Sequence, residues 1–226
     1  MQDGQWEIYE ETTPLLGATY GRGRARMVAF GLKGGGLAVV SPGTRGDKAR
    51  EGLERWGKPR FLVAPNAFHN AGLAEWRRAY PDARVVAHEA ARPRLAKKVP
   101  AAGPIDDLAE LQRELPEGMT VFGPPMARQG ETFVRVERGA VRALAVCDAI
   151  VNLPKAPLFF WALGFRAKLM TNPLFKRVFL TSRAEYKRFM RDEIEQHPPN
   201  VFIPSHGDVL RGEGVAAALL EATDAT

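Results

Sequence analysis

Three stretches of this 226-residue chain put groups able to bind a metal or move a proton where an apolar run stops. Pro65-Asn66-Ala67-Phe68-His69-Asn70 follows Phe61–Ala64, Cys147-Asp148-Ala149 follows Val141–Val146, and Ser205-His206-Gly207-Asp208 follows Val201–Pro204. Short continuous apolar runs ended by turn residues read as buried strands, and layered α/β folds gather their sites at strand ends. His69, Asp148 and His206 therefore form a candidate set of imidazole, carboxylate and imidazole. Such a set suits one divalent ion (zinc, iron or manganese) with positions left open for water, and makes Asp148 the candidate catalytic carboxylate.

Other conspicuous residues have plainer readings. Cys147 is expected to behave as a small buried hydrophobe. His88 sits on a strand before a helix, and His197 precedes Pro198-Pro199 at a helix C-terminus, where the dipole favours an imidazolium; both read as structural. Ser205, His206 and Asp208 are too close in sequence to turn their side chains onto one another as a hydrolytic triad does. The glycines of Lys33-Gly34-Gly35-Gly36 read as a hairpin turn, because a strand and not a helix follows, leaving no helix N-terminus for a phosphate.

The elements needed to position these groups can be drawn from the same patterns. Strands are expected at Ala25–Gly31, Leu37–Ser41, Phe61–Ala64, Arg84–His88, Met119–Phe122, Glu131–Glu137, Val141–Cys147 and Val201–Pro204. Helical composition covers Asp47–Trp56, Ala71–Tyr80, Glu89–Lys98, an apolar-aromatic segment from Pro154 to about Met170, a short piece near Leu174–Phe179, Ser182–Gln196 and the C-terminus. Ser182 followed by Glu185 is a capping-box pattern. Strand–helix alternation followed by hairpins predicts an α/β layered domain with a mixed sheet or two facing sheets. The Leu158-Phe159-Phe160-Trp161 run, with Phe165 and Met170, has the spacing of ordinary core packing; a lid over the cleft and a membrane-interface segment are its alternatives.

Composition narrows the classes further. Hydrophobic residues at 45% and charged residues at 26% are globular values, against disorder or a fibrous repeat. No apolar run approaches the roughly 20 residues that span a bilayer, and MQDGQWEIYEETTP lacks a signal-peptide core. One cysteine excludes an intrachain disulfide framework and suggests a cytoplasmic protein. The net charge is +6, but residues 151–191 alone carry nine Lys and Arg against Glu185. That segment favours an anionic partner or a solvated basic face.

In the order of these elements the chain resembles the metallo-β-lactamase superfamily. A glycine-broken hairpin ends in Val39-Val40-Ser41-Pro42-Gly43. A strand with its motif loop and helix comes next, then Val85-Val86-Ala87-His88-Glu89, a hairpin ending on Asp148 and a late strand ending on His206-Gly207. The resemblance, over roughly residues 18–220, implies one domain spanning 1–226, a four-layer αββα sandwich, and His69, Asp148 and His206 converging in a cleft between the sheets. It also exposes departures. The superfamily's His-x-His-x-Asp-His motif is reduced to one histidine. Aligned on Gly72, His69 falls on the motif's Asp and Asn70 on its last His; a shift of one residue puts His69 on that last His. Pro124–Gly130 lacks the middle histidine, and Ser41 stands where an Asp is usual. Asn70 and Glu131 are thus candidates for an additional ligand or base, Glu131 otherwise being a surface acid at a strand start.

Three functions follow as expectations. The first is a metal-dependent hydrolase with a mononuclear or degenerate site, in which metal-activated water attacks an ester, thioester, lactone or phosphodiester of a small, anionic molecule. The second is a protein with the same fold, no metal and no catalysis, acting in binding. The third, less favoured, is association with nucleic acid through residues 151–191, where aromatics and cations interleave weakly.

Overall fold

Seven strands form the first sheet in the order in which the chain supplies them. They are β1 (Glu7–Glu10), β2 (Leu15–Tyr20), β3 (Ala25–Gly31), β4 (Leu37–Val40), β5 (Pro59–Ala64), β6 (Arg84–Ala87) and β7 (Ile105–Asp107). The structure is a computed structural model that describes residues 5–21, 25–156 and 158–226. Strands β1 to β4 pair antiparallel in sequence order. From β4 onward the pairing is parallel, so each return needs a crossover. Helices α1 (Asp47–Leu53), α2 (Leu73–Ala79) and α3 (Arg92–Lys98) supply those crossovers.

After α4 (Leu108–Gln112) the chain builds a second sheet. It comprises β8 (Met119–Phe122), β9 (Phe133–Arg138), β10 (Val141–Val146), β13 (Val201–Pro204) and β14 (Leu210–Arg211), in the spatial order β14-β13-β10-β9-β8. A separate two-stranded ribbon pairs β11 (Ile150–Asn152) with β12 (Leu169–Thr171). Helices α6 (Arg183–Gln196) and α7 (Val215–Asp224) complete the chain's second half. Ser182 caps α6 by accepting from the Glu185 amide, half of the predicted capping box.

Burial sorts these elements into four layers. Between the sheets, Phe30, Val63 and Val86 meet Val134, Ala145 and Ile203. On the outer face of the first sheet lie Leu53, Leu73, Trp76 and Leu95 from α1, α2 and α3. Tyr186, Met190, Ile194 and Leu219 from α6 and α7 cover the second sheet. Because β3, β4 and most of β5 bury residues on both faces, their continuous apolar sequences are what a sandwiched central strand requires. The result is an αββα sandwich.

One expectation needs correction. The segment read as a helix from Pro154 to Met170 is helical only in α5 (Leu158–Ala162), residue 157 lying outside the described residues. Gly164, at φ +94, ends the turn, and Leu169–Thr171 becomes strand β12. Nor is the run a core element: Leu158, Phe159 and Trp161 are 84%, 73% and 49% exposed. The outer face of the second sheet is already filled by α6 and α7, so α5 has no sheet left to cover.

Candidate metal centre

Strands β5, β10 and β13 deliver the three sequence-predicted groups to one edge of the sandwich. His69 Nε2 lies 3.1 Å from His206 Nε2. Asp148 Oδ1 lies 3.3 Å from each of those two nitrogens. Donor atoms about 2.0–2.2 Å from a tetrahedral ion stand roughly 3.3–3.6 Å from one another, so the triangle is close to one face of such a coordination sphere. No sequence proximity explains the convergence, since the residues come from three separate strand ends.

Each of the three is aimed by a local device. Asn66, fully buried where β5 ends, accepts from the amides of Phe68 (2.8 Å) and His69 (3.0 Å) through its side-chain oxygen. This Asx turn folds the loop back and presents His69. At its other end, Asn66 Nδ2 donates to Asp148 Oδ2 at 2.8 Å and to Glu131 Oε2 at 3.1 Å. Ser41, at the end of β4, holds the other side of the His69 ring, with Oγ 3.0 Å from Nδ1, and its hydroxyl is 2.9 Å from that of Tyr20. Ser41 is buried in a left-handed conformation, φ +55, which costs energy for a residue with a Cβ and is retained where surrounding structure imposes it.

His206 is placed by backbone. Its carbonyl accepts from Asn152 N at 3.1 Å, and Asp208 N donates to Asn152 O at 2.8 Å. Between them Gly207 adopts φ +102 and passes so close to β11 that a Cβ would stand 1.8 Å from Asn152 O. Only glycine permits this crossing.

Glu131 is fully buried, not a surface acid. Its Oε1 accepts from the amides of Asp148 (2.5 Å) and Ala149 (3.0 Å), and its Oε2 from Asn66 Nδ2 and Gln129 Nε2, both at 3.1 Å. Four donors occupy its two oxygens, so it braces the Asp148 turn. Asn70, the other additional candidate, donates to the carbonyl of Ala67 at 3.1 Å and closes its own loop. Cys147 is buried, and its sulfur lies within 4.8 Å of donor atoms of His69 and Asp148. His88 and His197 lie outside the cluster; His197 faces Glu137 at 3.2 Å. Asn66 and Ser41 are the positioning residues that sequence reasoning missed as such, although an Asn directly after a buried strand is a recognisable Asx-turn signal.

The electrostatics are mutually dependent. Burial opposes charge on Asp148, but the neighbouring His69 and His206 outweigh it and hold the carboxyl well below the usual carboxylate range. For His69, burial disfavours the imidazolium and the Asp148 carboxylate more than compensates, so its pKa is raised. Glu131 is pushed up to about 8, first by burial and then by the Asp148 charge. The donor set is thus one carboxylate, kept ionised by the histidines that share its site. A cleft of about 380 Å³ opens beside it, lined by Asp148, His206, Val151, Leu153, Phe160 and Phe165, with Lys155 at its edge.

No protein-family model matches the chain, and no curated protein matches it in sequence. Solved structures do match in shape. The crystal structure of DIM-1 metallo-β-lactamase exposed to ceftazidime superposes with a TM-score of 0.61 at 11% identity, covering 100% of this chain and 99% of that one. The fold is that of the metallo-β-lactamases. The structure of TTHA1623 in a di-iron-bound form gives 0.62 at 17% identity over 89% of this chain and 96% of that one. That of the chemotaxis sensor ODP, described as a peroxy diiron species, gives 0.58 at 13% identity over 95% and 93%. Within this metallo-β-lactamase fold, the 65–70 loop offers a single histidine, with Ser41 against the His69 ring and Asn66 against the Asp148 carboxylate.

Proposed function

We propose that the protein is a metal-dependent hydrolase whose site holds one divalent ion, zinc, iron or manganese, through His69, Asp148 and His206. The observation that carries this reading is the 3.1–3.3 Å triangle of their donor atoms. Two further features support the fit. Ser41 meets His69 Nδ1 and Asn66 meets Asp148 Oδ2, leaving the inward-facing atoms of both ligands for the ion. A divalent ion there would supply Lewis acidity and draw the pKa of a coordinated water toward about 7.

The chain's own residues do the rest. With Nε2 committed to the ion, His69 keeps its proton on Nδ1 and donates it to Ser41. Asp148 stays ionised at neutral pH and so adds one negative charge to the site. Glu131 fixes the turn that carries Asp148, and acts as a positioning residue and not as a ligand. The adjoining cleft has the size of a small-molecule site, and Val151, Leu153, Phe160 and Phe165 give it an apolar wall for the non-reacting part of a substrate. Lys155 at the edge suits an anionic substrate bearing an ester, thioester, lactone or phosphodiester. Among the described residues no helix is long and apolar enough to cross a membrane, and the buried free thiol of Cys147 fits a cytoplasmic setting.

The test is elemental analysis of protein purified without chelator, followed by a screen of these four bond classes. Metal near one equivalent per chain, with hydrolysis abolished in His206→Ala, is the expected result. Less than about 0.2 metal per chain after supplementation with zinc, manganese or iron would leave a binding protein of the same fold.

A further inference from the structure

One surface stands out among the described residues. Leu158, Phe159 and Trp161 on α5 stand exposed, and Leu174, just before the neighbouring π-helical turn (Phe175–Phe179), and Val178 within it are exposed as well. The two pieces are tied together, because Arg177 Nη1 donates to the Leu163 carbonyl at 2.9 Å. Adjacent exposed large apolar side chains are uncommon on a protein that meets only water.

The same surface is cationic. Arg166 lies over the Trp161 ring at 5.1 Å, and Arg166, Lys168 and Lys176 face one hollow of about 420 Å³, with Glu221 on its wall. Among the described residues, Lys155, Arg166, Lys168, Lys176 and Arg177 take part in no ion pair. Burial and then the nearby Arg183, Arg177 and Lys187 lower the pKa of Lys176, as crowded positive charges would.

We propose that α5 and the adjoining cationic hollow dock the protein onto an anionic lipid bilayer. Aromatic and leucine side chains flanked by unpaired cations are what an interface between headgroups and acyl chains accommodates. The hollow is open to lipid phosphate, while Leu158, Phe159 and Trp161 enter the apolar boundary. A second copy of this chain is the poorer occupant, since a two-fold contact would bring the same cations against each other. Docking here also brings the bilayer next to the candidate catalytic cleft, because Phe160 and Phe165 of the same segment form part of its wall.

The experiment uses the full chain and vesicles of phosphatidylcholine with about 30% phosphatidylglycerol, read by co-sedimentation and by a change in tryptophan emission that is lost in Trp161→Phe. Binding should be at least about 10-fold tighter than to pure phosphatidylcholine, and should weaken with salt. Leu158→Ser with Phe159→Ser should weaken it about 10-fold or more. Arg166→Glu with Lys168→Glu should abolish the preference for anionic vesicles through the charges alone, and serves also if the first pair misfolds. His206→Ala should bind vesicles like the parent, which separates this surface from the metal reading. Equal binding to neutral and anionic vesicles, absence of binding at low ionic strength, or a dimer that dissociates with Phe159→Ser would overturn the proposal.

Discussion

Asn66 Nδ2 lies 2.8 Å from Asp148 Oδ2, while Oδ1 of the same carboxylate faces His69 and His206 at 3.3 Å. One buried amide therefore orients the carboxylate and, through its oxygen, the loop that carries His69. Asn66→Ala removes both supports and leaves buried polar groups unpaired. It should destabilise the protein by about 1–3 kcal/mol. Zinc affinity should fall about 10- to 100-fold, measured by calorimetric titration of protein stripped of metal. Unchanged affinity would mean that Asn66 does not hold the site.

Ser41 allows a separation of folding from binding. Ser41→Gly relieves the φ +55 conformation yet deletes the hydroxyl that meets His69 Nδ1. Its thermal stability should equal or exceed that of Ser41→Ala, while both lose about 10-fold in zinc affinity. Equal affinity in parent and variants would remove Ser41 from the account.

Gly207 makes a purely steric prediction. A Cβ there would meet Asn152 O at 1.8 Å, whereas Gly212, also at positive φ, has no atom within 4 Å of its Cβ position. Gly212→Ala should cost about 1 kcal/mol from backbone strain. Gly207→Ala should cost several times as much by denaturant titration and should displace His206.

The pH dependence of the metal-free protein follows from the shifted groups. His69 is raised, so its stabilisation is complete below its unfolded value and is lost as pH rises through the folded one. Glu131, up to about 8 when folded, binds its proton more tightly than in the unfolded chain and also loses stability with rising pH. Asp148, lowered, loses its contribution only in acid, below its unfolded value near 4. Stability of the metal-free protein should therefore decline from about pH 5 to 8, and less steeply in Glu131→Gln. Added zinc, which displaces the His69 proton, should raise the melting temperature more at pH 8 than at pH 6. A flat profile would contradict these assignments.

Much of the fold could be read from the chain because its central strands are buried on both faces and so are continuously apolar. Val39-Val40, Phe61–Ala64 and Val201–Pro204 are examples, and the groups at the ends of β5, β10 and β13 stood out against them. Strand β2, Leu15–Tyr20, carries Gly17 in its middle, where the Tyr9 ring lies over the backbone, and had no periodic signature. The ribbon of β11 and β12 was equally hidden, since three-residue strands pair through tertiary context. Within the site, ligand types are visible as residue types. Their supports are not, because Asn66 and Ser41 are ordinary polar residues until their partners, far away in sequence, are placed beside them. The exposure of α5 is hidden in the sequence for a similar reason. Its sequence is apolar enough for a core, and only the occupancy of the second sheet by α6 and α7 leaves it outside.

The proposed function requires that three side chains from three strand ends hold one ion together. Calorimetric titration of zinc into the stripped protein and into His69→Ala, Asp148→Ala and His206→Ala tests it most directly. One site per chain is expected in the parent and a loss of about 100-fold or more in each variant, with no variant's loss explained by unfolding. Absence of zinc binding in the parent, or binding that survives all three substitutions, would contradict it.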